Sequence, residues 1–295
     1  MTPEAQKYFD EAEELFKKEK YEAATKAYAK SIAAYPTLLA YLNQGSSLFT
    51  ISKSAEASQA FSDGLSLARE KKDTRFEGVF LSNLGFINYI KGELESALEY
   101  FNQALEIFRK TRQRKDEAEQ LGNIGAVYQD LREPEKALKY YNDALNRYKE
   151  SGYQEGAANQ LNNMGLLHVI LGEIDVARTY FDEALDIFKK LEHKQGMAAQ
   201  LANIGTTCRD KNDRDNALKY YNEALATCRE IGDKRGEATQ LSNIGYIYAI
   251  NAEPLTTVEY FSKSLDLYKE VGATAEIEML QENIAIITSG VLSGN

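Results

Sequence analysis

Tryptophan is absent from these 295 residues, proline occurs four times, and cysteine and histidine occur twice each. So few prolines leave long stretches free to run as helix, and abundant Ala, Leu, Glu, Lys and Tyr favour that state over sheet. Cys208 and Cys228 stand at neither metal nor redox spacing and fall where a small core residue serves, which reads as two inert thiols in a reducing compartment. No histidine has a histidine or cysteine partner at ligand spacing, so no metal site is expected. No apolar run approaches the roughly 18–20 residues that cross a bilayer. The opening MTPEAQKYFDEAEELFKK is patterned as an amphipathic helix and not as a signal peptide, so a cytoplasmic chain with no membrane partner is expected. A net charge of −10 and a pI near 5.0 come with no basic stripe, which argues against a nucleic-acid partner. There is no glycine-rich phosphate loop after a strand, and no carboxylate pair stands out as general acid and base. Neither catalysis nor a cofactor is expected.

What the chain does have is a period. Stepping by forty from Gly45 meets Gly85, Gly125, Gly165, Gly205 and Gly245, then Ala285. Twelve residues after each comes Ala57, Ala97, Ala137, Ala177 and Ala217, with Thr257 as the exception. An aromatic follows at Phe61, Phe101, Tyr141, Phe181, Tyr221 and Phe261, and then a small residue at Gly64, Ala104, Ala144, Ala184, Ala224 and Ser264. A shorter first unit shows Ala24, Tyr28 and Ser31 before Pro36. Each unit reads as two helices. Leu121, Ile124 and Tyr128 mark one face of the first, LREP breaks it, and Ala137, Tyr141, Ala144 and Leu145 mark the second. A mid-helix glycine costs about 1 kcal/mol against alanine, so the two backbones must approach closely enough at Gly125 to offset it. Tyr141 then fills the space left by Gly125 and Ala137, and Ala144 lets the next unit dock. In the same frame His168 takes the core slot of Tyr128 and Tyr248, and His193 falls in a turn.

Small, aromatic, small at these offsets resembles the tetratricopeptide repeat, whose usual length is about 34 residues. The extra residues per unit resemble its longer variety, seen in kinesin light chains, LGN/Pins-like adaptors and Rap-type regulators. The resemblance implies an all-α, right-handed superhelical solenoid of seven helix-turn-helix repeats, over about 3–34, 37–70, 75–110, 115–150, 155–190, 195–230 and 235–270. A capping helix over 274–289 closes the last apolar face, giving a single domain over 1–290, and the tail 291–295 is expected to fray.

Asparagine also recurs, at Asn43, Asn83, Asn123, Asn163, Asn203, Asn243 and Asn283, although it costs a helix about half a kcal/mol against alanine. At 100° per residue Asn123 lies roughly 200° from Leu121, away from the face that packs its partner helix. The resemblance places these first helices on the inner wall of the superhelix, so the asparagines form a ladder along the groove. A carboxamide both donates and accepts, as an extended peptide backbone requires. The alternative is that each asparagine bonds the neighbouring repeat and sets the superhelical pitch; the two roles can coexist. Neighbouring positions on that face carry Phe86, Tyr89, Leu166 and Tyr246 as candidate side-chain pockets, and Ile90, Ile170 and Ile250 at its edge. Asp130, Arg209 and Asp210 lie on its more polar stretches, and acids outnumber bases along it. The expected occupant is an extended protein or peptide segment of neutral to mildly basic character. Chaperone-associated members of the family clamp a terminal carboxylate with lysine and arginine, which these positions lack. The tyrosine row Tyr100, Tyr140, Tyr180, Tyr220 and Tyr260 reads as partly buried rings with wet hydroxyls. The function implied is a non-enzymatic adaptor or scaffold. A regulatory peptide sensor whose pitch changes on binding, and a self-assembling scaffold, are the alternatives.

Overall fold

The computed structural model describes residues 1–292 and contains, among them, fifteen α-helices and no strand. Fourteen helices form seven pairs: α1 (Pro3–Lys17) with α2 (Tyr21–Ala34), α3 (Leu38–Thr50) with α4 (Ser54–Lys71), α5 (Thr74–Ile90) with α6 (Leu94–Lys110), α7 (Arg114–Asp130) with α8 (Pro134–Ser151), α9 (Gln154–Ile170) with α10 (Ile174–Lys190), α11 (Lys194–Asp210) with α12 (Arg214–Ile231), and α13 (Lys234–Ile250) with α14 (Pro254–Val271). The last, α15 (Thr274–Leu292), closes the series against α14. Of the segment 291–295, expected to fray, residues 291 and 292 belong to the end of α15, and 293–295 lie outside the described residues. Contacts gather into two compact units, Met1–Tyr153 and the residues from Gln154 onward. Within each, a helix packs on its pair partner and every second helix packs on the next first helix.

The turns explain how such short connections reverse the chain. At each of them except α2–α3, one residue adopts positive φ: glycine at 92, 152, 172, 232 and 272, and eight other residues such as Arg132 (φ 58) and Asn212 (φ 61). Around Gly92 the next amide, Glu93 N–H, reaches back to Asn88 C=O at 2.9 Å, satisfying a carbonyl that the helix end leaves open. A non-glycine residue tolerates this conformation at a cost, which the repeated closure of the turn must exceed. The first repeat differs because Tyr35 is extended (φ −165) before Pro36, and the unit is correspondingly short.

The repeated small residues sit where two helices nearly touch. A Cβ added at Gly125 would lie 2.6 Å from Tyr141 Cδ1 and 3.3 Å from the Ala137 carbonyl oxygen. Ala137, Tyr141 and Ala144 are all buried. The position of Ala144 is pinched from two sides, and not by the following unit alone. At Gly64 an added Cβ would lie 2.4 Å from Phe80 Cζ of the next first helix, yet Ser31 and Ser264 donate back to the Ala5 and Ala238 carbonyls of their own first helix, at 2.8 and 2.7 Å.

Ion pairs cross between repeats at one recurring spacing, Arg69–Glu77 at 2.9 Å, Arg109–Glu117 at 3.1 Å and Arg229–Glu237 at 2.7 Å. Glu117 is the buried member, 5% exposed, and its Oε1 also accepts from Arg147 Nε at 3.1 Å, so one carboxylate joins α6, α7 and α8. Both arginines reach solvent, which screens the pairs. Glu117→Ala is therefore expected to cost about 1–2 kcal/mol, less than breaking a fully buried pair. Urea unfolding of the two proteins measures it, and a cost below about 0.3 kcal/mol contradicts the bridging role.

Candidate binding cleft

Within the first unit, the exposed faces of α5 and α7 diverge into a cleft of about 370 Å³. Val79, Asn83 and Phe86 line it from α5, and Glu119, Gln120 and Asn123 from α7. A second hollow of about 190 Å³ lies on the other side of α5, with Ser46 and Phe49 of α3 in its wall, and it shares Asn83 and Phe86 with the first. Phe86 is 43% exposed, stands 5.7 Å from Phe49 between ring centroids, and forms the ridge between the two hollows. Three expected site residues, Asn83, Phe86 and Asn123, thus meet at one place. Leu166 holds the same repeat position in α9 and is 40% exposed, with Ile170 exposed a turn further on. Ile90 and Ile250 are exposed as well, not buried between first helices.

The asparagines, all half-buried, divide by partner. Asn43 Nδ2 donates to Glu13 Oε1 at 2.8 Å, Asn203 Nδ2 to Asn162 Oδ1 at 2.9 Å, and Asn283 Nδ2 to Tyr246 Oη at 3.1 Å, each on the preceding first helix. Asn83 turns to its own helix, donating to the Val79 carbonyl at 2.8 Å, and Asn243 donates to Gln240 Oε1 at 3.2 Å. Among the described residues Asn163 Oδ1 has only a long contact, 3.5 Å, from Asn162 Nδ2. The Asn123 carboxamide takes no hydrogen-bond partner among the described residues, and it faces the larger cleft.

The remaining expected residues are engaged with one another. Burial, then the bond to and charge of Asp130, push the Tyr89 hydroxyl up to about 12. Arg209 Nε and Nη2 both donate to Asp210 Oδ1, at 3.0 and 2.8 Å. Tyr246 packs edge-on against Phe261 at 4.9 Å and its hydroxyl meets Asn283 and Met279, so α15 covers it. A row absent from the sequence reading stands beside the asparagines: Gln120, Gln160, Gln200 and Gln240, all buried. Their fixed place before Leu121, Leu161, Leu201 and Leu241 was the available signal. Among them Gln120, Gln160 and Gln200 keep a buried Oε1 without a partner among the described residues.

The outer tyrosines form stacks. Tyr128 lies on Tyr140, His168 on Tyr180 and Tyr248 on Tyr260, each at 5.3 Å and within 18° of parallel. Where Cys208 takes the slot, the Arg178 guanidinium lies over Tyr220 at 4.9 Å instead. His168 Nδ1 meets Glu173 Oε2 at 2.5 Å, and His193 caps α11 by accepting from Gly196 N–H at 2.9 Å. Among the described residues no three His, Cys, Asp or Glu side chains gather as a metal site, and no helix is long and apolar enough to cross a membrane. Burial first, then Asp233 and Glu237, push the Cys228 thiol up to about 11. The unfolded chain releases that proton near pH 8.5, so this residue's contribution to stability falls as pH rises from about 8.5 to about 11. At pH 8 Cys228 is on the order of a thousandth thiolate, and it is expected to resist a maleimide until the protein unfolds. Mass spectrometry of timed labelling checks this; rapid native labelling at Cys228 contradicts it.

Paired helices, a packing glycine and an exposed first-helix face define an all-helical repeat scaffold for protein interactions. The chain belongs to the tetratricopeptide repeat family: that repeat matches residues 77–150 and 156–230, and a second form of it matches 9–71. No curated protein sequence matches it. Among solved structures, it is similar to the signal-transduction ATPase with a tetratricopeptide repeat sensor from Pyrococcus horikoshii, with a TM-score of 0.73 and 15% identity over 92% of this chain and 44% of that one. It is also similar to BtubC from P. vanneervenii, with a TM-score of 0.65 and 20% identity over 73% and 91% of the two chains. A Rap protein complexed with competence and sporulation factor gives a TM-score of 0.62 and 13% identity over 99% of both. At these identities the likeness is one of fold.

Proposed function

We propose that this chain is a non-enzymatic, cytoplasmic adaptor that binds an extended segment of another protein along its first helices. The observation that carries the reading is the Asn123 carboxamide, without a hydrogen-bond partner among the described residues and set beside the exposed ring of Phe86 in an open cleft. Asn83 adds an oxygen whose amide nitrogen alone is committed, so the cleft offers both donors and acceptors to a main chain. Exposed apolar side chains beside such groups favour a peptide that brings apolar side chains of its own. The asparagines that bond across repeats, Asn43, Asn203 and Asn283, hold the first helices in register, so the ladder's two roles fall to different members.

Selection from a random nonapeptide library on the full chain tests this. Selected peptides are expected to bind an Asn83→Ala, Asn123→Ala double variant about tenfold more weakly, the worth of roughly 1.4 kcal/mol in lost hydrogen bonds. Equal binding by both proteins sinks the reading.

The similarity to a Rap protein solved with competence and sporulation factor supports a second reading, a sensor for a small signalling peptide. It requires that a bound peptide change the solution scattering profile, whereas a rigid adaptor keeps one profile throughout.

A further inference from the structure

One feature of the larger cleft belongs to a single repeat. Asp116 and Glu119 stand three residues apart on α7 and both line it. At the same places in other repeats the chain has Phe76 and Val79, Gly156 and Asn159, Gly196 and Ala199, and Gly236 and Thr239. No second acid pair occupies this register. The nearby cations are committed elsewhere: Arg109 and Arg147 to Glu117, Arg114 to Glu150 at 3.6 Å, and the Lys115 ammonium over the Tyr153 ring at 4.1 Å. Neither Asp116 nor Glu119 has an ion-pair partner among the described residues.

A second observation concerns Gln120, which also lines the cleft. Gln120 is 1% exposed, and its Oε1 has no donor. An unpartnered buried acceptor is costly; this oxygen is closed to solvent, like those of Gln160 and Gln200, so a donor in the cleft relieves it as the amide turns toward the opening. The Glu119 side chain is open to solvent on one side but crowded by the walls. That crowding, then the like charge of Asp116, raise its carboxyl above the ordinary range, and Lys115 only partly opposes them.

We infer that this cleft receives one cationic side chain, lysine or arginine, from the bound segment, its charge between Asp116 and Glu119 and its N–H groups turned toward Gln120. The inference rests on the groove reading above and names one specificity position within it. The pair of carboxylates supplies the counter-charge, while Val79 and Phe86 offer an apolar wall to the side chain's methylene stem. Two carboxylates alone make a poor cage for a hard metal ion, which takes six or more oxygens, whereas they suit a multi-donor ammonium or guanidinium.

Two measurements test it on the full chain. In the first, Nα-acetyl-arginine methylamide is titrated into protein carrying ¹³C-labelled aspartate and glutamate carboxyls. The Asp116 and Glu119 signals are expected to shift saturably with it and not with the acetyl-norleucine counterpart; no shift, or the same shift with both, overturns the inference while leaving the groove reading untouched. In the second, nonapeptide selections are run on the native chain and on the D116N/E119Q variant, after matching their helical circular dichroism. The native chain is expected to enrich lysine or arginine at one position, and replacing that residue by norleucine to weaken binding about fivefold, with the penalty falling below about twofold on the variant. Peptides retained without a basic preference overturn this inference alone. A native chain that retains no peptide overturns the groove reading and this inference with it.

Discussion

Phe181→Ala is expected to cost about 3–5 kcal/mol, and to cost it locally. The ring is 1% exposed and packs with Ala177, Leu185, Leu201 and Ile204, so its removal leaves a void between α9, α10 and α11. Relaxation into that void is restricted because Gly165 already brings the α9 backbone against the ring; a Cβ there would lie 2.5 Å from Phe181 Cε1. Repeats couple mainly to their neighbours, so amide protection should collapse in α9 and α10 and persist in α13 and α14, as native-state hydrogen exchange reads. The reciprocal change follows from the same contact. Gly165→Ala overpacks the site at about 1–3 kcal/mol, and adding Phe181→Leu should recover part of that. Simple additivity of the two changes, or a Phe181→Ala cost near 1 kcal/mol, contradicts the packing account.

The second large effect concerns binding. Phe86→Ala combined with Asn123→Ala is expected to weaken a selected peptide on the order of a hundredfold, the worth of losing one aromatic anchor and one backbone contact. Stability should change by about 1 kcal/mol at most, because Phe86 is 43% exposed and Asn123 has no hydrogen-bond partner among the described residues, while removing a mid-helix asparagine gains about half a kcal/mol in propensity. Asn203→Ala should do the opposite. It frees Asn162 from a donor and costs about 1 kcal/mol of stability, with little direct effect at the cleft between α5 and α7. Calorimetric titration and thermal unfolding of the same preparations separate the two outcomes. If Asn123→Ala destabilises as much as Asn203→Ala, the division of roles among the asparagines is wrong.

The contrast between these residues marks what the sequence makes legible. Gly125, Ala137 and Tyr141 announce the helix pair because their consequence is local: one added carbon collides with a ring or a carbonyl. The period of forty repeats that demand and leaves no competing fold. Which face an asparagine occupies was likewise readable from 100° per residue. Its partner was not. Asn43 and Asn203 share a repeat position, yet one donates to Glu13 and the other to Asn162, because the acceptor depends on what the preceding helix happens to present. Exposure at one position also varies with what lies beyond it. Phe86 and Tyr246 are equivalent in the repeat, but Phe86 stands between two hollows while Tyr246 is covered by α15. The glutamine row was visible as a period and silent as chemistry. A glutamine beside a leucine reads as solvated surface until its neighbours are known, and only burial turns the Gln120 oxygen into an unmet acceptor.

The central claim is that free carboxamides on the first helices recognise a visiting main chain, leaving sequence preference to the side chains around them. Replacing each backbone N–H of a selected peptide in turn by N–CH₃, and titrating every version into the protein, addresses that claim directly. The account predicts affinity losses of about tenfold at the one or two peptide positions facing Asn83 and Asn123, and the disappearance of those losses in the Asn83→Ala, Asn123→Ala variant. Methylation that is tolerated at every position, or that weakens the variant and the native chain alike, contradicts it.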